Sequence, residues 1–113
     1  MRVTSSLFVA ALIRRASIAG AQALVARHGA DEAGAIFLTL DRLDGLVDLY
    51  GPAPQSAFSE EGPADRLFTL LRQKRLEIEI AELLAKEIRF DPDLWVVAIE
   101  DRQGRAFIEL AKA

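Results

Sequence analysis

The sequence predicts a single α+β domain, a mostly antiparallel sheet of five to six strands packed with two helices. Three observations carry this prediction. Asp44-Gly45 joins two apolar runs, a good two-residue hairpin signal. Leu76, Ile80, Leu83, Leu84 and Ile88 recur at helical spacing. Trp95–Ile99 is apolar on both faces, as a central strand covered above and below must be. At 113 residues the chain reads as one domain, 1–113, long enough to bury roughly two-thirds of its unfolded surface.

Along the chain, Thr4-Ser5-Ser6 offers capping hydroxyls and Gly20 a stop, so the first helix is expected over Ser6–Ala19. Leu7, Ala11 and Ile18 share one side of it, with Phe8, Leu12 and Ala16 close by and Arg14-Arg15 at the solvated margin. The run LFVAALI also suits a buried strand, but its length and alanine content favour the helix. Gln22–Arg27 reads as a strand ended by the loop HGADEAG. A tight Asp44-Gly45 turn then sets Leu43 opposite Leu46 and Asp41 opposite Asp48. In that register Ile36, Leu38 and Leu40 face the core with Val47 and Leu49. Phe37, Thr39, Leu43, Leu46 and Tyr50 occupy the other face, apolar enough to need a helix or another subunit over it.

Gly51–Asp65 carries two Gly-Pro-Ala repeats and reads as a long loop. A further strand is expected at Arg66–Leu71 and the second helix at about 74–89, braced by Arg75–Glu79 and Glu82–Lys86 pairs. The stretch LEIEIAEL alternates like a strand, which leaves the start of that helix open. Gln103-Gly104 is expected to turn the chain into a last strand, Ala106–Leu110.

Composition excludes more functions than it suggests. With no cysteine there are no disulfides, thiolate zinc sites or thiol nucleophiles, and the chain suits a reducing cytoplasm. No acid precedes Asp31, yet the apolar run Leu7–Ile13 is short for a signal core, and Arg14-Arg15 follow it rather than lead it. No stretch approaches the ~20 apolar residues of a spanning helix. Arg72, Lys74 and Arg75, with Arg66 nearby, could touch phosphates. A net charge of −3 and the lack of aromatic-interleaved basic strands argue against nucleic acid. His28 has no neighbouring serine to activate, and the motifs of hydrolases, zincins, dinucleotide folds and phosphate loops are absent.

Acidic pairs are the remaining candidates. Asp91/Asp93 and Glu100/Asp101 bracket the central strand, and at 3.3 Å per residue Asp93 and Glu100 stand roughly 23 Å apart. They cannot share an ion. Asp91-Pro92-Asp93 reads as turn chemistry at a helix-to-strand junction, and Glu100-Asp101 beside Arg102 and Arg105 as a solvated hairpin end. Asp41 opposite Asp48 would repel, so a cation, Arg42, Arg66, solvent or another register must relieve it. No catalytic residue, metal ligand or cofactor site emerges. Tyr50, Pro52, Pro54 and Phe58, with Phe37 on the hairpin, are the expected interaction surface, for an unknown protein partner or a second copy.

The stretches ALIRRASIAG, GAIFLTLDRLDGLVDLYGPAP and FDPDLWVVAIEDRQGR, which span nearly the whole chain, resemble a small bacterial family, domain of unknown function 1491. Ala98 stands where that family's pattern has an acidic residue, which weakens an acidic-site reading. The resemblance implies a stand-alone cytoplasmic bacterial protein and no assigned activity. It transfers no catalytic or ligand residue. The expectation is a non-enzymatic interaction module that forms a homo-oligomer. The alternative is a small-ligand or divalent-cation binder, or an enzyme, using Asp41/Asp48 or Asp91/Asp93.

Overall fold

The computed structural model describes residues 3–54 and 66–111. Its elements run α1 (Ser5–Ile18), β1 (Gln22–Arg27), β2 (Ile36–Asp41), β3 (Val47–Pro52), β4 (Leu67–Arg75), α2 (Glu77–Phe90), β5 (Trp95–Glu100) and β6 (Glu109–Leu110). The six strands form one sheet in the order β1-β5-β2-β3-β4-β6. The β1–β5, β2–β3 and β3–β4 pairs are antiparallel, while β2–β5 and β4–β6 are parallel. This is the expected α+β fold, with a sheet more mixed than its hairpins suggest.

Each face of the sheet is covered by one helix. Val9, Leu12 and Ala16 of α1 pack with Ile36, Leu38, Leu40, Tyr50, Phe68, Trp95, Val97 and Ile99. Ile80 and Leu84 of α2 pack on the opposite face with Phe37, Val47, Leu49, Leu94 and Val96. Both faces of β5 are therefore buried, which explains why Trp95–Ile99 is apolar throughout.

Thr4 caps α1, its Oγ1 accepting from the Leu7 amide at 3.3 Å. The buried stripe is Ser5, Val9, Leu12 and Ala16, not the Leu7–Ala11–Ile18 side. That expected side faces solvent because Arg14 and Arg15 flank it on the helical wheel. Ser5 anchors the helix: its hydroxyl donates to the Gly34 carbonyl at 2.6 Å and accepts from Arg66 at 2.9 Å. Around it, the loop between β1 and β2 folds tightly onto the start of β5. A Cβ on Gly29 or on Gly34 would lie 2.3 Å from the Asp93 carbonyl oxygen.

The hairpin register differs from expectation by one residue. Asp41 pairs with Val47, Leu40 with Asp48 and Leu38 with Tyr50. Leu43 (φ 64°) and Gly45 (φ 94°) both take left-handed conformations within a five-residue connection, which replaces the two-residue turn. A one-residue slip exchanges the faces of a strand. Val47 and Leu49 consequently lie on the Phe37 face under α2, and Tyr50 joins Leu38 on the α1 face.

The last strand also departs from expectation. Both edges of β5 are already paired, with β1 and β2, so residues 106–110 cannot form a hairpin with it. Gly104 (φ 73°) closes a turn on the Asp101 carbonyl, and the chain then crosses the α1 face to the far edge. Ala106, Phe107 and Ile108 pack against the core on the way, leaving two residues as β6 beside β4.

Candidate functional site

The expected interaction surface does not assemble. Phe37 and Tyr50 are each only 8% exposed and lie on opposite faces of the sheet. Phe37 is a core residue under α2, its ring against Gly51, where a Cβ would approach Phe37 Cε2 to 3.0 Å. Burial pushes the Tyr50 phenol up from its ordinary pKa, with the Asp48 charge adding to the shift and Arg42 opposing it. Pro52 and Pro54 are exposed at the end of β3. Phe58 and most of the Gly51–Asp65 loop lie outside the described residues.

The carboxylates resolve into separate structural roles. Asp48 is 1% exposed, paired with Arg42 at 2.5 Å, and its second oxygen accepts from the Lys74 amide at 2.8 Å. Lys74 takes a left-handed conformation (φ 52°) where β4 carries an extra residue opposite Asp48. Asp48 therefore fixes a bulge rather than facing Asp41, and Arg42 supplies the counter-charge. Asp91 accepts from the Asp93 amide at 3.1 Å, the turn chemistry expected of Asp-Pro-Asp. Asp101 accepts side-chain bonds from Arg105 at 2.8 and 3.0 Å and a backbone bond from the same residue. The Arg105 guanidinium holds its carboxyl down to about 2, with burial opposing.

His28 is exposed, lies 3.6 Å from Asp31 and stacks on Trp95 at 4.1 Å between ring centroids. Arg66 is buried beside Ser5 and Phe8, away from Arg72 and Arg75. Those two border Glu79 and Glu82, and Arg75 pairs with Glu79 at 3.4 Å, so the basic cluster is interleaved with acids. Among the described residues no three histidine or acidic side chains come together as metal ligands, and no helix is long and apolar enough to cross a membrane.

What the fold does assemble lies at the β1 end. Here β1 is an edge strand, and the cover given by α2, which packs from β4 across to Val96 of β5, stops short of it. A groove of about 380 Å3 remains between α2 and β1. Leu24, Val96, Ala98, Ile80 and Leu84 line it, with Asp41, Glu77 and Glu100 among its polar groups. These acids share one end, because Arg75, Val47, Asp41, Glu100 and Gln22 form a single row across the sheet and α2 begins two residues after Arg75. Leu24 is 58% exposed and Val25 37%. The sequence did carry a signal for this surface, since Gly20–Ala26 has no charge. Which strand ends the sheet is a property of topology, invisible to a local reading.

A six-stranded mixed sheet with one helix on each face defines a small three-layer α+β domain. The chain belongs to the family described as protein of unknown function DUF1491, whose model matches residues 3–109. It is similar to the solution structure of protein Atu0922 from A. tumefaciens, with 45% identity and a TM-score of 0.85 over 100% of this chain and 98% of that one. A crystal structure of a DUF1491 family protein from Caulobacter crescentus matches at 36% identity and a TM-score of 0.81, covering all of both chains. No curated protein matches.

Proposed function

We propose that this chain is a non-enzymatic interaction module of the bacterial cytoplasm that engages a protein strand along β1 and the adjoining groove. The observation that carries the reading is the β1 edge itself. An open strand presents unpaired backbone donors and acceptors, and folded proteins ordinarily blunt such an edge with charge, proline or a cover. From Gln22 to Val25, ahead of the irregularity that precedes Arg27, this strand has neither charge nor proline, and Leu24 stands exposed beside an apolar groove. The cytoplasmic address rests on the cysteine-free composition and on the family resemblance.

A photo-crosslinking residue placed at position 24, expressed in cells, tests the reading against the same residue placed at Arg89 on α2. Adducts specific to position 24 are expected. Equal labelling at both positions, or none at either, overturns it.

The groove supports a second reading, a small ligand with an apolar body and a cationic end beside Asp41, Glu77 and Glu100. Of the carboxylates singled out in sequence as alternatives, only Asp41 lines this space. A ligand at a hundred times its dissociation constant would stabilise the fold by about 2.7 kcal/mol. A thermal-shift panel of amines and divalent cations, repeated on Asp41→Asn, distinguishes this reading from the first.

A further inference from the structure

We propose that the occupant of the β1 edge is a second copy of this chain, its β1 running antiparallel to the first about a twofold axis through Leu24. The inference rests on the interaction reading above and names its partner. A twofold contact is isologous, so the patch must complement itself. Three features of β1 meet that requirement.

The first is register. A twofold axis perpendicular to the sheet joins two edges into one continuous sheet, with like faces on the same side. Directly opposed residues must then come from the same face. An axis between Leu24 and Val25 would oppose residues of opposite faces, since Leu24 pairs with Ala98 and Val25 with Val97 within the chain. The axis must therefore pass through a residue. Centring on Val25 would run the ladder through the irregularity between Val25 and Arg27 twice. Centring on Leu24 leaves that bulge at the ends. Leu24 then meets Leu24, Ala23 meets Val25 and Gln22 meets Ala26 of the second copy.

The second is burial. The self-paired Leu24 is the most exposed large apolar side chain of β1, and it points to the α2 face because its partner Ala98 lines the groove there. Pairing lays the second copy's strand alongside each groove and covers this leucine twice over.

The third is charge. Arg27 pairs with Val96 across the bulge, which turns it to the α2 face as well. In the antiparallel pair the second copy's Arg27 reaches past Gln22, beside the row that holds Glu100 and Asp41. Among the described residues Arg27 and Glu100 have no oppositely charged partner in their own chain, Arg27 giving Nη2 to the Pro92 carbonyl at 2.8 Å. Each end of the interface thus brings a cation toward an acidic row.

The chain has no cysteine, so single substitutions report cleanly. Light scattering on the wild-type chain should give twice the 12.4 kDa protomer mass across a concentration series. Leu24→Cys should oxidise to a covalent dimer, because directly opposed Cα atoms of antiparallel strands lie about 4.5–5.5 Å apart, within disulfide reach. Val25→Cys should crosslink far less, being two register steps from its own copy. Leu24→Lys should be monomeric with an unchanged far-ultraviolet circular dichroism spectrum. A wild-type monomer at every concentration overturns the proposal, as does a dimer in which Val25→Cys crosslinks as readily as Leu24→Cys. A monomer that still labels another protein from position 24 in cells overturns the second copy alone, leaving the interaction reading in place. A monomer with no such adduct overturns both.

Discussion

Asp48→Ala, compared with Asp48→Asn and Arg42→Ala, probes how the β3–β4 bulge is held. In the native chain one carboxylate oxygen faces Arg42 and the other accepts from the Lys74 amide. Alanine removes both partners. An orphaned buried amide costs about 1–3 kcal/mol, and the loss of the ion pair adds less, because the Arg42 side chain is 27% exposed and regains water. A total near 3 kcal/mol is expected, or roughly 10 °C in midpoint for a domain of this size. Asparagine keeps an acceptor for Lys74, so Asp48→Asn should cost about 1–2 kcal/mol. Arg42→Ala strands a buried carboxylate and should fall at about 3–5 kcal/mol, the range for breaking a buried pair on one side. Urea unfolding of the three variants, and of the Asp48→Asn/Arg42→Ala double mutant, measures these values directly. The double mutant should recover at least about 1 kcal/mol relative to the summed single effects. Strict additivity, or an Asp48→Ala cost below about 1 kcal/mol, would refute the role given to this carboxylate.

Other expectations follow from the same geometry. Asp101 has its folded pKa depressed from 3.8 to about 2, so its contribution is present above pH 4 and is lost as pH falls toward 2. The stability gap between the wild-type chain and Asp101→Asn, followed by chemical unfolding, should close over that window. Tyr50 is the only tyrosine, so ultraviolet titration should show one phenol ionising above its ordinary value of 10. Because that pKa is raised, the accompanying stability is complete below pH 10 and declines as pH climbs through the folded value. Gly34→Ala places a methyl carbon against the Asp93 carbonyl and should cost more than Gly20→Ala, which meets no atom within 4 Å and carries only left-handed strain. Phe37→Ala should behave as a core deletion costing about 3–5 kcal/mol in thermal unfolding, with no change in oligomer mass.

Legibility followed the range of the forces involved. β1 falls at Gln22–Arg27, a run uncharged as far as Ala26 and bounded by Gly20 and the HGADEAG loop, and β5 within a residue of its expected end, because an apolar run without alternation marks a strand buried on both faces. The hairpin was visible, but its register depended on Leu43 adopting a positive φ, which nothing in leucine's own preferences announces. The register decided which side of the sheet each residue of β3 took, and with it whether Phe37 and Tyr50 shared a face. For α1, apolar residues on all sides hid the core stripe, although Arg14 and Arg15 marked the wet side. The turn at Gly104 was legible and its destination was not, since pairing options depend on which edges earlier strands have occupied. At the candidate site, the uncharged run of β1 is visible in the sequence, while its position at the rim of the sheet follows only from the strand order.

The order of the strands has a consequence for synthesis. β5 lies between β1 and β2, which precede it by some seventy and sixty residues. Until Trp95–Glu100 leaves the ribosome, β1 has no neighbour to pair with and α1 has only half its floor. The segment leading to β6 must then cross that same face before β4 gains its outer partner. A nascent chain therefore has no stable stopping point short of nearly full length, and long-range pairings of this kind close slowly. Chains released before Trp95 should remain protease-sensitive, with their uncharged β1 run unprotected, and should become resistant in one step once β5 is in place.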